Sequence, residues 1–165
     1  MKPLLDRSLA WAICVLMIAM VLNVLWQVFS RWVLSTPSSV TEELARYLMV
    51  WLGILGGAYG VGTKSHLAVD YFTSNLKGPA KRWSQLAIEA VVLVFATGVM
   101  LGGGVRLVWI TFTLGQTSAA LGVPLGYVYL VVPLSGACIV IYSLLALRDT
   151  WRNQGEEAHQ SGALN

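Results

Sequence analysis

Four long apolar runs constrain this chain of 165 residues more than any other feature. They cover residues 9–30, 44–63, 86 to about 112, and about 121 to 147. A helix needs about 20 residues, at about 1.5 Å each, to cross a hydrocarbon core of about 30 Å. Because lipid offers no partner to backbone N–H and C=O groups, we expect each run to be a membrane-spanning helix. The predicted fold class is therefore all-α: an integral membrane four-helix bundle in a single domain over residues 1–165.

The composition excludes several classes of protein. Charged residues make up 12% of the chain and apolar residues 56%, whereas a soluble domain carries about 25% charge. Nucleic-acid binders and soluble enzymes of ordinary composition are therefore excluded. We expect neither a metal nor a cofactor, because Cys14 and Cys138 lie inside apolar runs and both histidines lie outside them. No phosphate loop, zinc motif or nucleophile elbow is present, so we expect no enzymatic activity.

The basic residues predict the orientation. Of the eleven Lys and Arg residues, eight lie near the two termini or in the loop between the second and third runs. By the positive-inside rule, both termini and this middle loop are predicted to be cytoplasmic. The first run is longer than a signal-peptide core, so we expect it to remain as a span. The polar tail, residues 148–165, is predicted to be flexible, at best one helical turn beyond the last span.

A polar stripe interrupts the first run. Asn23, Gln27 and Arg31 follow one another at intervals of four residues, so they lie on one face of a helix. Polar side chains that face lipid raise the free energy of a membrane-spanning helix. A buried contact between this stripe and protein is therefore favoured. The alternative is that Gln27 and Arg31 extend to the outer headgroups. Asn23 distinguishes the two interpretations because it lies deepest in the run.

An acidic and basic cluster marks the start of the second run. Glu42 and Glu43 lie four and three residues before Arg46, so either can pair with it along a helix. One interpretation is that this cluster, at the outer surface near Arg31, docks another subunit. The other is that both acids only complement the positive end of the helix.

Two further features lie within the third run and the middle loop. Glu89 is a functional candidate because it lies inside an apolar run. The alternative is that its side chain extends to the inner boundary of the membrane, since it is only about 10 Å from Arg82 along a helix. In the middle loop, residues 65–76 are predicted to form a short helix with one apolar side in the inner headgroup layer. Lys64, His66 and Asp70 are its candidate anchors.

Glycines at four-residue spacing predict close helix packing, because they let the backbones of membrane helices approach one another. This spacing shows that helices pack but not which ones. The predicted packing residues are Gly53, Gly56, Gly57, Gly60, Gly98 and Gly102.

Two stretches give the chain a family resemblance. Residues 42–51, continuing through 55–58 to 64–70, and residues 118–124 with 133–136 appear in an order that resembles the small membrane subunit of tripartite ATP-independent periplasmic (TRAP) transporters, the DctQ-like family. Together they cover about half of the chain. Lys64 stands where relatives commonly have an Arg ahead of the His66 element, and Ala119 stands where Pro is expected.

The resemblance implies a subunit of the bacterial inner membrane that pairs with a large, M-type membrane subunit and a periplasmic, P-type substrate-binding protein. Relatives take up organic acids with a sodium gradient, and the small subunit is thought to brace the large one. Glu42, Glu43 and Arg46 match an outer element near the docked binding protein, and His66 and Asp70 match an inner loop element. Ordered phospholipid at a subunit seam is a further expected partner.

Two other classes remain open from the sequence. One is an autonomous small transporter that works as a homodimer, although such proteins place their essential acid in the first helix and this chain has Glu89 in the third. The other is a membrane anchor of an unrelated complex, which the composition alone does not exclude.

Overall fold

The computed structural model describes residues 2–33, 38–63 and 79–162. Within these ranges every regular element is helical, which confirms the predicted all-α membrane bundle; the β-type pairing found there is an isolated bridge between Thr117 and Pro124. The elements are α1 (Lys2–Val33), α2 (Ser39–Gly62), α3 (Pro79–Phe95), a π-helical segment (Ala96–Gly103), α4 (Gly104–Thr113), α5 (Leu125–Tyr129) and α6 (Val131–Gly162).

In the described ranges, four helical stretches are long and apolar enough to cross a membrane: Lys2–Val33, Ser39–Gly62, Leu86–Thr113 and Leu125–Arg148. Their number agrees with the prediction, and their bounds differ by up to seven residues. The first helix begins at Lys2 because Pro3 is tolerated in a first helical turn, where its missing N–H would lack a partner anyway. The fourth begins later than predicted because Gly122 and Pro124 belong to the preceding loop.

The helices pack around α6. α1 packs on α2, α2 packs on α6, and α6 also packs on α3 and the π-helical segment. At the centre, Ala58 and Ala96 are fully buried beside Leu9 and Ile139. The small side chains of the two alanines let α2 and the π-helical segment come close to α6.

The third span contains an unusual helical segment. Hydrogen bonds wider than those of an α-helix run through Ala96–Gly103 before α4 restores the ordinary pattern. This segment faces α6 where that helix carries Gly136: a Cβ added to Gly136 would lie 2.8 Å from Cβ of Met100. Glycine at this position is therefore what permits the close approach.

Two further predictions concern the polar tail and the middle loop. The structure continues α6 as a helix to Gly162, whereas the sequence predicts a flexible tail from residue 148. Extending an existing helix costs little, since each added residue contributes a hydrogen bond without a new nucleus. The predicted interfacial helix over 65–76, with its candidate anchors Lys64, His66 and Asp70, lies outside the described residues.

Candidate functional site

The bundle has two ends, each with a polar tie between distant parts of the chain. We call the end with residues 114–124 and the start of α2 the loop end. The other end, which holds the start of α1 and the end of α2, is the terminal end. The tie at the loop end centres on Glu43, and the tie at the terminal end joins Asp6 to Tyr142.

The Glu43 carboxylate joins α2 to the 114–124 loop. Its Oε2 accepts hydrogen bonds from the backbone N–H of Ala120 at 2.8 Å and of Leu121 at 3.3 Å. Its Oε1 accepts the hydroxyl of Tyr47, one helical turn further along α2, at 2.6 Å. The buried hydroxyl of Ser118 accepts the N–H of Leu121 at 3.1 Å beside this carboxylate. Backbone N–H groups converging on an anion form a recurrent type of anion-binding site.

The 114–124 loop has its own internal order. The N–H of Ser118 donates to the carbonyl of Val123 at 2.8 Å, and the N–H of Gly122 donates to the carbonyl of Ser118 at 3.1 Å. Gly122 adopts a φ of 66°, a conformation that glycine reaches without steric cost. The turn formed in this way directs two consecutive N–H groups at Glu43.

Asn23 joins the first two helices. Its side-chain amide donates to the backbone carbonyl of Thr41 at 2.8 Å, in the first turns of α2. Gln27 is half-buried and Arg31 is exposed on the same stripe. Arg31 lies eight residues beyond Asn23, about 12 Å further along α1.

The rest of the acidic and basic cluster is turned outward. Glu42 and Arg46 are exposed, and within the described residues neither side chain takes part in a hydrogen bond or an ion pair. The structure therefore separates the three cluster residues of α2: Glu43 is engaged inside the chain, while Glu42 and Arg46 are accessible. The predicted pairing of either acid with Arg46 along α2 is not formed.

Sequence reasoning missed the tie at the terminal end. The hydroxyl of Tyr142 on α6 donates to the carboxylate of Asp6 on α1 at 2.5 Å. The ring of Tyr142 lies directly over Gly62, the last residue of α2, where an added Cβ would be 2.6 Å from Cε2 of the ring. Asp6 and Tyr142 are 136 positions apart, so no local spacing in the sequence relates them.

The predicted glycine faces are open within this chain. Among the residues that the structure describes, no heavy atom of a neighbouring element lies within 4 Å of a Cβ built on Gly53, Gly56, Gly57, Gly60 or Gly98, and for Gly102 the nearest is its own helix's Thr97 carbonyl at 3.6 Å. Close contacts occur instead at four other glycines, namely Gly62, Gly104, Gly126 and Gly136. Within the described part of the chain, the glycines at four-residue spacing are therefore not the ones that bring its own helices together.

Much of the apolar surface is likewise uncovered by the chain itself. In the most apolar window of each span, 6%, 11% and 6% of the residues are buried in the first three spans and 33% in the fourth. An apolar groove of about 560 Å³ lies between α4 and the start of α6, lined by residues such as Trp109, Phe112 and Pro133. A second, of about 450 Å³, runs along Gly53 and Gly57 of α2.

Glu89 is half-buried on α3 and interacts with another group of the chain. Cys14 and Cys138 are free thiols. In the ranges that the structure covers, no three His, Cys, Asp or Glu side chains come together in a way that could hold a metal ion.

Four long apolar helices, uncovered apolar faces and polar ties at the two ends define a multi-pass membrane protein. The sequence matches, over residues 20–153, the family described as "Tripartite ATP-independent periplasmic transporters, DctQ component". The chain therefore belongs to the DctQ family of TRAP transporter small permease subunits, proteins of the inner membrane. This confirms the resemblance seen in the sequence.

Named relatives support this membership. The chain is 33% identical to the sialic acid TRAP transporter small permease protein SiaQ of Vibrio cholerae, over 53% of its own length. It is 30% identical to the C4-dicarboxylate TRAP transporter small permease protein DctQ of Rhodobacter capsulatus, over 72%. In both cases the matched region spans 51% of the relative. It is also 30% identical, over 66% of this chain and 16% of the relative, to the isethionate TRAP transporter permease protein DctMQ of Oleidesulfovibrio alaskensis.

Proposed function

We propose that this chain is a scaffold subunit that braces the large, M-type subunit of a TRAP transporter during sodium-coupled, binding-protein-dependent uptake of an organic acid. The observation that carries the proposal is how little of the first three spans the chain itself covers: 6%, 11% and 6% of the residues in their most apolar windows are buried. Extensive apolar faces with open glycines are suited to gripping another membrane helix. In this proposal the chain has no catalytic role and solute passes through the partner.

The relatives support both the partner and the substrate class. The DctMQ protein is named a permease, and the region similar to this chain makes up 16% of its length. A single protein thus joins such a region to a much longer permease, which favours a large permease as the neighbour of this chain. The solutes in the relatives' names are sialic acid, C4-dicarboxylate and isethionate. All three are organic acids, so we infer that class of solute here.

We further propose that the termini face the cytoplasm and the loop end faces the periplasm, as the distribution of basic residues favours. Arg31, Glu42 and Arg46 would then be exposed to the periplasmic binding protein. On the cytoplasmic side, Lys64, His66 and Asp70 would anchor the middle loop. The groove beside Trp109 and Pro133, of about 560 Å³, is suited to a phospholipid chain at the seam with the large subunit.

Reconstitution in liposomes tests the proposal. The chain alone, the large subunit alone and both together are compared for uptake of a labelled organic acid, with loaded binding protein outside and an inward sodium gradient. We expect uptake only when both membrane subunits are present, and loss of that uptake when the sodium gradient is removed. Ion-coupled uptake by the chain alone would overturn the proposal and favour an autonomous homodimeric transporter.

A further inference from the structure

We propose that Glu43 is a positioning residue: its carboxylate latches the 114–124 loop to α2, and the latched loop forms part of the surface on which the binding protein docks. The latch depends only on contacts within the chain. Its role in docking rests on the proposed function. The proposal assigns Glu43 a different role from that of its neighbour Glu42, although the sequence places both in one cluster.

The first step is that the Glu43 carboxylate is fully engaged within the chain. Oε1 accepts from Tyr47, and Oε2 accepts from the N–H groups of Ala120 and Leu121. Hydrogen bonds to a charged acceptor are about twice as strong as neutral ones. The side chain is therefore held by the chain itself, whereas exposed Glu42 is free to meet a partner.

The second step is that the loop depends on this acid for its anchor. The sequence has no charged residue from Leu107 to Leu147, so the loop has no ionised side chain of its own. The N–H of Leu121 can also donate to Oγ of Ser118 at 3.1 Å. For the N–H of Ala120, the hydrogen-bond acceptor found within the described part of the chain is Glu43. Loss of the carboxylate leaves that N–H without its protein partner, which favours opening of the turn.

The third step concerns what the latched loop presents. Thr117, Ala119 and Val123 are exposed on the loop, beside the exposed charges of Glu42 and Arg46 on α2. Protein interfaces commonly combine an uncharged centre with a polar rim. Holding the loop against α2 brings these two kinds of surface together in one arrangement.

Hydrogen exchange of the purified chain in lipid nanodiscs tests the latch directly. We expect Glu43→Gln to raise the exchange rate of a peptide containing Ala120 and Leu121 about tenfold, since the substitution removes the negative charge and replaces one of the two acceptor oxygens with an NH2 donor. Glu42→Gln, the same chemical change one residue away, is the matched control and should leave that rate unchanged. Unchanged exchange in Glu43→Gln would overturn the latch.

A second variant covers the case in which Glu43→Gln does not fold. Ser118→Ala removes the hydroxyl that accepts from the N–H of Leu121, one of the two N–H groups bonded to Glu43, but keeps the carboxylate on α2. We expect faster exchange of the same peptide, by about threefold, the size typical of one hydrogen bond in a membrane protein. An exchange rate equal to that of the unmodified chain would count against the latch.

Uptake measurements separate positioning from direct charge contact. The rate is measured against the concentration of loaded binding protein, at constant sodium and with choline chloride added to vary ionic strength. For Glu43→Gln we expect the half-saturating concentration to rise about tenfold with little change in the maximal rate. This rise should persist at high salt because it comes from loop geometry. For Glu42→Gln any rise should disappear at high salt, since exposed charges are screened.

The outcomes are distinguishable. Fast loop exchange in Glu43→Gln with an unchanged half-saturating concentration would overturn the docking role and keep the latch. If high salt abolished the rise in half-saturating concentration of Glu43→Gln, Glu43 would act as a surface charge, which contradicts the proposal. If the unmodified chain does not support uptake with the large subunit, the proposed function fails, while the exchange experiment still decides the latch. Ser39→Ala, an exposed change at the start of the same helix, serves as the uptake control.

Discussion

The loop end and the terminal end both use a carboxylate, but they fix different things. At the loop end, Glu43 accepts from backbone N–H groups of a non-helical turn. At the terminal end, Asp6 accepts from a phenol that extends from another helix, and the ring of that phenol covers Gly62 of a third. The first tie therefore shapes irregular backbone, whereas the second sets the distance between helices.

This difference has consequences for stability. The tie at the terminal end involves α1, α2 and α6, so a change there disturbs the packing of three spans. The tie at the loop end involves the start of α2 and one turn, so a change there is expected to open the turn before the bundle. Local opening and global unfolding are separable by experiment, since hydrogen exchange reports the first and thermal unfolding the second.

The largest expected effect comes from filling the space under Tyr142. Gly62→Val places a branched side chain where a Cβ alone already overlaps the ring. Overpacking of this kind costs about 3 kcal/mol in the free energy of unfolding. Thermal unfolding in detergent measures it, with Gly60→Val as control because no neighbour lies within 4 Å of its Cβ. Equal midpoints for the two variants would contradict the close packing at the terminal end.

The next effect comes from the tie itself. Tyr142→Phe keeps the ring over Gly62 and removes the hydroxyl that donates to Asp6. We expect the free energy of unfolding to fall by about 1 kcal/mol, with no change in hydrogen exchange of the 114–124 loop. Tyr127→Phe is the matched control, since its exposed ring packs edge-on against Phe112 and should keep doing so. A faster-exchanging loop in Tyr142→Phe would remove the distinction between the ends.

A smaller effect is expected where α1 meets α2. Asn23→Ala removes the donor to the carbonyl of Thr41 and should lower the free energy of unfolding by about 0.6 kcal/mol, the average for side-chain hydrogen bonds between membrane helices. Gln27→Ala, one turn further along the same stripe, should have less effect. If the two alanine variants were equally stable, the Asn23 contact would have no special role.

The smallest effect on global stability is expected at the loop end. Tyr47→Phe removes one donor to Oε1 of Glu43 but leaves the two loop N–H groups bonded to Oε2. Exchange of the 114–124 loop should rise by about threefold or less, and the thermal midpoint should stay near that of the unmodified chain. A midpoint lowered as far as in Tyr142→Phe would show that both ties support the whole bundle.

Hydropathy predicted the four spans because each helix must satisfy its backbone within an apolar run. The same pattern could not place the ends, since helix termini depend on turn residues such as Gly122 and Pro124. Four-residue spacing singled out Gly53 and Gly57, yet it identifies surfaces that can receive a helix and not the contacts made within the chain. Glycines such as Gly62 are required by a neighbour in space, which local sequence does not reveal.

At the candidate site, too, local spacing predicted which residues lie near one another along a helix but not which residues meet across the fold. Spacing placed Glu42, Glu43 and Arg46 in one cluster at the correct start of a helix. The spacing could not show that Glu43 is bonded within the chain while Glu42 and Arg46 are exposed, because the N–H donors of Glu43 lie 77 and 78 positions further on. The tie between Asp6 and Tyr142 was missed for the same reason. Side chains that are partnered across the fold need the three-dimensional structure to be recognised.

The separation of Glu43 from its donors also sets an order for biogenesis. The carboxylate leaves the ribosome 77 residues before the N–H of Ala120, so the third span must be synthesised and threaded before the acid meets its partners. Until then the carboxylate lacks the two N–H donors of the loop. Closure of this contact thus marks a late stage in the maturation of the nascent chain.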